Sequence, residues 1–226
     1  MRTVFVHGFT QTATSWGPVV DHLGPEVEPV ALDVPDDLDF VATAHALGDA
    51  GGTATYVGYS MGGRLCLRLA LDRPDLVREL VLVSASPGIA DPVERAARRD
   101  ADDALARDVE RDGVDAFLDR WLAQPLFASL PRALAGIDER RRANTVVRLT
   151  HQLRALGQGA QEPLWDRLSE LRIPVRIIVG SEDSKYCDIG SAMSRSIADA
   201  VLVTVGPAGH AVHLEHPSSV AHALIS

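Results

Sequence analysis

Only two of the 226 residues are cysteine, aromatic residues make up 5%, and no stretch offers the roughly 18 consecutive apolar residues that a membrane helix needs. Each scarcity excludes something. Cys66 and Cys187 stand far apart, which argues for two free thiols in a reducing compartment and against a disulfide scaffold. The first residues, Met1 to Val6, run straight into a strand pattern ending at His7-Gly8, so no targeting segment is expected and a cytoplasmic location is. Basic side chains are outnumbered, 22 against 31 acidic ones, and the net charge of −9 argues against nucleic acid or an anionic membrane as partner. No Gly-x-Gly-x-x-Gly follows the first strand pattern, which leaves a nicotinamide or flavin cofactor unsupported, and no histidine or cysteine spacing suits a metal. No cofactor and no metal are expected. There is no internal repeat and no low-complexity tract.

What is present is an ordinary apolar fraction, 46%, in a chain long enough to bury a sizeable core as a single domain, 1–226. Short β-rich runs recur at Thr3 to His7, Val27 to Asp33, Ala54 to Gly58, Leu80 to Ser84, Val175 to Gly180 and Ala200 to Val205, with helical patterns between them. That alternation predicts an α/β fold, a mostly parallel doubly wound sheet. Between Ser84 and Ile173 the rhythm breaks into about ninety residues rich in Arg, Asp, Ala and Leu, punctuated by Pro87-Gly88, Pro92, Asp112-Gly113, Pro125, Pro131, Gly157-Gln158-Gly159 and Pro163. The spacing predicts a helical cap insertion at approximately 88–165, beside the C-terminal ends of the strands where open α/β sheets bind ligands.

Gly58-Tyr59-Ser60-Met61-Gly62 lies between a strand pattern and a helical pattern, Gly63 to Leu71. A Gly-x-Ser-x-Gly turn in that setting is a nucleophile elbow, which lifts the serine hydroxyl clear of the sheet. A serine hydroxyl needs a histidine to take its proton and a carboxylate to fix the histidine tautomer. Asp183 and His210 each follow the end of a predicted strand, and the order Ser60, Asp183, His210 is that of α/β-hydrolases. Glu182 is the alternative acid. His213 and His216 are alternative bases, read as surface residues because they approach the helix begun at Pro217; His22, His45, His151 and His222 read as solvated or capping, and His7 as a structural anchor. An oxyanion hole is expected from the N–H groups of Met61 and of Phe9 in the loop after the first strand.

Arg64 follows Ser60 by four residues, on the same helical face, and its side chain leans back toward the helix N-terminus. A cation beside the nucleophile suits a carboxylate substrate; a solvent-facing salt bridge is the alternative. Arginines also cluster at 95, 98 and 99 and at 140 to 142, mostly as solvated faces.

Taken together, Gly58 to Arg64, Ser86-Pro87-Gly88-Ile89, Gln124-Pro125-Leu126-Phe127-Ala128-Ser129-Leu130, Gly180 to Tyr186 and Ala208-Gly209-His210 resemble the 2-succinyl-6-hydroxy-2,4-cyclohexadiene-1-carboxylate synthases of menaquinone biosynthesis, members of the α/β-hydrolase superfamily. The likeness spans nearly the whole chain. It implies a lyase in which the triad removes a proton from a ring carbon next to a ketone and pyruvate is eliminated from 2-succinyl-5-enolpyruvyl-6-hydroxy-3-cyclohexene-1-carboxylate, a small-molecule polycarboxylate. It also implies substrate-binding roles for Arg64, Arg98, Arg142, Trp121 and Tyr59, with Arg140 or Arg141 in place of Arg142 after a one-residue slip and a cap-core role as the alternative for Trp121. Family members carry Pro-Gly-His-Gly where this chain reads Asp33-Val34-Pro35-Asp36-Asp37-Leu38, so that loop is expected to differ in shape. The usual extra N-terminal strands have no counterpart, which predicts a sheet reduced at its N-terminal edge. A carboxylesterase or C–C hydrolase working through an acyl-enzyme is the runner-up, a non-catalytic ligand-binding member of the fold the third reading, and a monomer is favoured.

Overall fold

The computed structural model describes residues 1–225. The six apolar runs form six strands, β1 (Arg2–Val6), β2 (Glu28–Leu32), β3 (Ala54–Tyr59), β4 (Val77–Val83), β5 (Val175–Gly180) and β6 (Ala200–Val205). They stand in the order β2-β1-β3-β4-β5-β6, and each neighbouring pair is parallel, so the sheet is parallel throughout rather than mostly so. β4 begins earlier than its apolar run predicts. Val77 pairs with Ala54, while the polar Arg78 and Glu79 fall at a register shift between Ala54 and Thr55 and interrupt the pattern.

Side chains alternate across a strand, and here both faces are covered by helices, which is why the strands read as continuous apolar runs. Val4, Val6, Leu80, Leu82 and Ile177 face α2 (Phe40–Gly51), α3 (Met61–Asp72) and α7 (Ser184–Ser196). Phe5, Val57, Val81, Val83 and Ile178 face α1 (Gly17–Val20), α8 (Val212–Glu215) and α9 (Pro217–Ile225). No helix among the described residues is long and apolar enough to cross a membrane.

Between β4 and β5 the chain leaves the sheet and builds the cap from α4 (Pro92–Leu122), α5 (Ile137–Ala143) and α6 (Val146–Leu156), with two 3-10 turns between α4 and α5. Punctuation in the sequence explains each boundary. The Asp91 carboxylate accepts from Val93 N and Glu94 N at 2.8 Å, Pro92 fills the first helical position, and Gly113, at φ 80, breaks α4. Thr145 caps α6 by accepting from Arg148 N. The cap has its own small core of Ala106, Val109, Phe117, Leu118, Leu149 and Leu153, and Phe9 of the body packs against it.

The divergent loop at 33–38 ties the body to the cap. Arg148 of α6 pairs with Asp36 at 2.9 Å, and the Leu38 carbonyl lies 2.9 Å from Nε2 of His151. The strand order reverses between β1 and β3, so the crevice at their C-terminal ends, beneath the cap, is where such a sheet offers a ligand site.

Leu82 is fully buried in the central strand β4. Leu82→Ala is expected to lower the unfolding free energy by about 2–5 kcal/mol, the usual range for a buried leucine truncation, read by urea denaturation. A loss below half of that lower bound would mean that the sheet collapses around the void.

Candidate active site

Ser60 sits at the turn from β3 into α3 with φ 50 and ψ −108, a conformation that side chains other than glycine rarely adopt. Its neighbours hold it there: Ser60 N donates to Val83 O at 2.9 Å and Arg64 N donates to Ser60 O at 3.1 Å. The turn is so tight that a methyl group at Gly58 would meet the Gly62 carbonyl at 2.5 Å, and one at Gly62 would collide with the carbonyls of Val6 and His7. The glycines of the motif are therefore requirements of packing.

The three residues expected from chain order converge. Nδ1 of His210 is 2.7 Å from Oδ2 of Asp183, and its Nε2 is 3.3 Å from Oγ of Ser60. An ionised carboxylate only accepts, so Nδ1–H donates to Asp183, and Nε2 is left to accept from the serine hydroxyl. Asp183 is also the N-cap of α7, its Oδ1 accepting from Tyr186 N at 3.3 Å, which fixes the carboxylate independently of the histidine. Glu182 is exposed and takes no part. His213 corrects the expectation of a surface residue. It is fully buried, its ring 4.0 Å from that of Tyr59 and 5.0 Å from that of Trp16, and burial holds its pKa well below the ordinary value. Its Nε2 lies 3.2 Å from Nε2 of Gln11, so its function is to support the loop after β1.

Met61 opens α3, where the first N–H groups have no partner within the helix, and Phe9 lies in the loop after β1 across the crevice. Both residues line the same cavity as Ser60 and His210, about 130 Å³ beneath the cap. The His7 ring anchors the root of the loop, Nδ1–H donating to Gly8 O at 2.8 Å while Nε2 accepts from Val34 N at 3.1 Å. Acceptance from Val34 N requires a neutral ring, and burial pushes its pKa down to about 4, so the approach of Asp33 to 3.5 Å is not an ion pair at neutral pH.

Of the arginines singled out by resemblance, two line the cavity and one does not. Arg64 is 5% exposed and donates to Gln161 Oε1 at 2.8 Å and to Leu156 O at 2.7 Å, both neutral acceptors. Burial pulls its pKa down to about 10, so it remains a cation at neutral pH. The alternative of a solvent-facing salt bridge is thereby removed. Arg98 also lines the cavity but is partnered, its Nε donating to Asp102 Oδ1 at 2.7 Å. Arg142 is the correction: its side chain is 71% exposed on the outer side of α5 and pairs with Glu139, outside the cavity. The buried member of the trio is Arg140, because a three-residue run on a helix turns only one of its side chains toward the core. It lies outside the Ser60 cavity as well.

Trp121 and Tyr59 both line the cavity. The Trp121 ring packs edge-on against Phe9 at 5.0 Å, and its buried indole N–H has no partner among the described residues. Tyr59 is 5.5 Å from the His210 ring, and burial raises its phenol far above the usual value. Among the further residues that line the cavity, three without an individual role in the sequence reading bear on its chemistry. Gln152 is 1% exposed, and both its amide atoms lack a hydrogen-bond partner among the described residues. Tyr186 covers the other side of His210 with ring centroids 4.5 Å apart. Lys185, the one lysine of the chain, stands at the exposed rim. A lysine in a chain that otherwise uses arginine throughout was the available signal for the last; a glutamine on an amphipathic helix gives none.

A family model described as the alpha/beta hydrolase family matches residues 3–223. The putative 2-succinyl-6-hydroxy-2,4-cyclohexadiene-1-carboxylate synthase of Bacillus subtilis (strain 168) is 32% identical over 95% of this chain and 85% of its own length. The synthase of that name from Klebsiella pneumoniae is 29% identical over 96% of this chain and 89% of its own. Among solved structures, MenH from S. aureus superposes with a TM-score of 0.93 at 27% identity, over 100% of this chain and 92% of that one.

The neutral His7 ring makes stability depend on pH. The unfolded chain takes up a proton below about 6.5 and the folded one only near 4, so the stabilisation is complete above pH 6.5 and is lost as pH falls toward 4. The loss should approach about 3 kcal/mol, at 1.36 kcal/mol per pKa unit. His7→Asn, which cannot be protonated there, should show a shallower decline in urea denaturation between pH 6.5 and 4; parallel curves would rule out the buried ring as the cause.

Proposed function

The chain belongs to the alpha/beta hydrolase family and, within it, to the 2-succinyl-6-hydroxy-2,4-cyclohexadiene-1-carboxylate synthases, and on that premise we propose that it eliminates pyruvate from 2-succinyl-5-enolpyruvyl-6-hydroxy-3-cyclohexene-1-carboxylate with Ser60 as the immediate base. Ser60 Oγ takes the proton from the ring carbon that carries the succinyl ketone, and its own proton passes to Nε2 of His210. The C–H electron pair moves into the ketone, and the oxyanion that develops is held by the Phe9 and Met61 N–H groups. As the oxyanion collapses, the ring gains its second double bond, the C–O bond to the enolpyruvyl group breaks, and the departing enolate is protonated to pyruvate. Asp183 holds the histidine tautomer and stabilises the imidazolium. No acyl-enzyme is formed.

The observation that carries this reading is Arg64. A guanidinium that is 5% exposed, beside the nucleophile, whose hydrogen bonds go to neutral oxygens and whose Cζ lies 5.5 Å from the centre of the Phe40 ring, is a charge without a directly bonded counter-ion in a low-dielectric site. Burying a charge without a counter-ion costs several kcal/mol, and a substrate carboxylate offsets that cost on binding. An esterase acting on a neutral ester would carry the cost without the benefit. Arg98, with Asp102 already beside it, supplies a second and weaker attraction, and Lys185 meets the substrate at the rim. The unpartnered amide of Gln152 and indole N–H of Trp121 bond the polar groups of the ring, since each is otherwise a buried polar atom left unpaired. Tyr59 packs under His210 and keeps the site dry. Free Cys66 and Cys187 fit a cytoplasmic setting, and the cap, 88–165, works with the sheet as one unit.

Pyruvate release measured beside p-nitrophenyl acetate hydrolysis tests the reading. The wild type should release pyruvate rapidly and cleave the ester feebly; brisk ester cleavage without pyruvate would hand the triad to the esterase alternative. Ser60→Ala should abolish turnover and keep the fold. Arg64→Ala should lower kcat/KM for the polycarboxylate by about 10- to 100-fold, the worth of a hydrogen bond to a charged group, and leave the neutral ester almost untouched. Gln152→Leu should raise KM and also raise the melting temperature, because it removes an unpaired buried amide. A Gln152→Leu protein that is less stable and binds normally would mean that the amide serves the core.

A further inference from the structure

The loop that carries the Phe9 N–H is gripped by the cap at three points. The Phe9 ring lies edge-on to Phe117, at 6.1 Å, and to Trp121, at 5.0 Å, both on α4. The next residue, Thr10, is fully buried at φ 67, a strained conformation for a β-branched residue. Two cap side chains hold it. Nη1 of Arg140, on α5, donates to the Thr10 hydroxyl, and Nδ2 of Asn144, at the end of α5, donates to the Thr10 carbonyl at 2.8 Å. Asn144 also donates to Arg140 O, and Nε of Arg140 donates to Ala135 O at 2.7 Å, so the clamp is itself braced within the cap. On the body side the same loop is held by Gln11, whose Oε1 accepts from Gly8 N at 3.3 Å and whose Nε2 meets His213.

Within the loop, Gln11 N donates to Gly8 O at 3.2 Å and closes a turn with Thr10 as its third residue; the side chains that brace that turn from outside are Arg140 and Asn144, which belong to a different part of the chain, 130 and 134 positions away. Buried guanidinium groups are expensive, and this one has no carboxylate among its hydrogen-bond partners. Its arrangement is explained by what it holds. An oxyanion donor must stand within a few tenths of an ångström of its working position, and a rotation at Thr10 would swing the Phe9 peptide away from the crevice.

We infer that Arg140 and Asn144 are positioning residues for the lyase reaction: the docked cap, through Thr10, sets the direction of the Phe9 N–H and so completes the oxyanion hole. This rests on the proposed role of the Phe9 N–H. The cap is then part of the catalytic apparatus as well as a cover, and any movement that lifts α5 disarms the hole while Ser60, His210 and Asp183 stay in place.

The test uses the full chain and two readouts. Pyruvate release gives kcat and KM. A p-nitrophenyl alkylphosphonate gives the rate at which Ser60 is phosphonylated: the P–O bond to Ser60 forms, the bond to p-nitrophenolate breaks, the serine proton passes to His210, and the phosphoryl oxygen occupies the hole. Arg140→Met and Asn144→Ala should each lower kcat by about 10- to 100-fold, part of the 10²–10³ associated with losing an oxyanion donor, with KM within threefold of wild type and a parallel fall in phosphonylation. Arg140→Lys, which keeps one donor, should recover part of both rates. Thr10→Gly accepts the left-handed conformation freely and has no hydroxyl, so adding Arg140→Met to it should cost less than threefold further.

Unchanged phosphonylation in Arg140→Met and Asn144→Ala would overturn the proposal, and so would losses that simply multiply in the Thr10→Gly background. A chain that is phosphonylated in this dependent manner yet releases no pyruvate would instead remove the lyase reading and keep the clamp. If Arg140→Met fails to fold, the Asn144→Ala and Arg140→Lys rates decide.

Discussion

Three residues other than glycine are held at positive φ among the described residues: Thr10 at 67, Ser60 at 50 and Ser84 at 47. They follow β1, β3 and β4, three adjacent strands, so all three strained turns lie on one rim of the sheet. Each costs of order 1–3 kcal/mol and persists only where the surroundings over-determine it. Around Ser60 the determinants are the backbone bonds to Val83 and Arg64 and the glycines that let α3 press against β1. At Ser84 a bond from its N–H to Ile178 O ties the end of β4 to β5. Strain here is a consequence of turning the chain sharply at the ends of three adjacent strands.

The second constraint is charge. The chain is acidic overall, and most of its arginines are neutralised by a nearby Asp or Glu, as Arg68 and Arg167 are by Asp72 and Arg154 by Asp103 and Glu110. Arg64 and Arg140 depart from that rule, and both are buried against neutral oxygens. Removing either from water is costly, and in each case the compensation we propose lies in function: an anionic ligand for Arg64, the strained loop for Arg140. The two are not interchangeable, because Arg64 lines the Ser60 cavity and Arg140 does not.

Most of the fold was legible because parallel strands buried on both faces leave continuous apolar runs, and the elbow and the triad order are local patterns that survive without coordinates. The limits lie where a residue's meaning depends on which way a helix is turned. Arg140, Arg141 and Arg142 are equivalent as text, and only the phase of α5 sends the first inward and the last to Glu139. His213 reads as a surface residue because it precedes Pro217, yet α8 carries it beneath Tyr59. Gln152 is a polar residue on an amphipathic helix, and nothing short of its surroundings reveals that both amide atoms lack partners. Even the run Asp33 to Leu38, read as a departure from the family, has a purpose visible only in three dimensions, as a tether for α6 through Arg148 and His151.

These tethers bear on how the cap can work. Three of its attachments, at the 33–38 loop through α6, at Thr10 through α5 and at Phe9 through α4, land on loops at the C-terminal rim of the sheet, while Arg64 of α3 and Tyr186 of α7 hold it from the flanking helices. The triad, by contrast, is assembled entirely by the sheet and its flanking helices: Ser60 by β3 and α3, Asp183 by β5 and α7, His210 by the turn after β6. The proposed base and the proposed oxyanion hole therefore answer to different parts of the molecule. On the proposed mechanism, a substrate that spreads carboxylates between the cap and the crevice would draw the two together, with binding energy gained at Arg64 and Arg98 spent on orienting a donor some distance away. That is the form in which remote binding accelerates a reaction, since the interaction matters most when the oxyanion has formed.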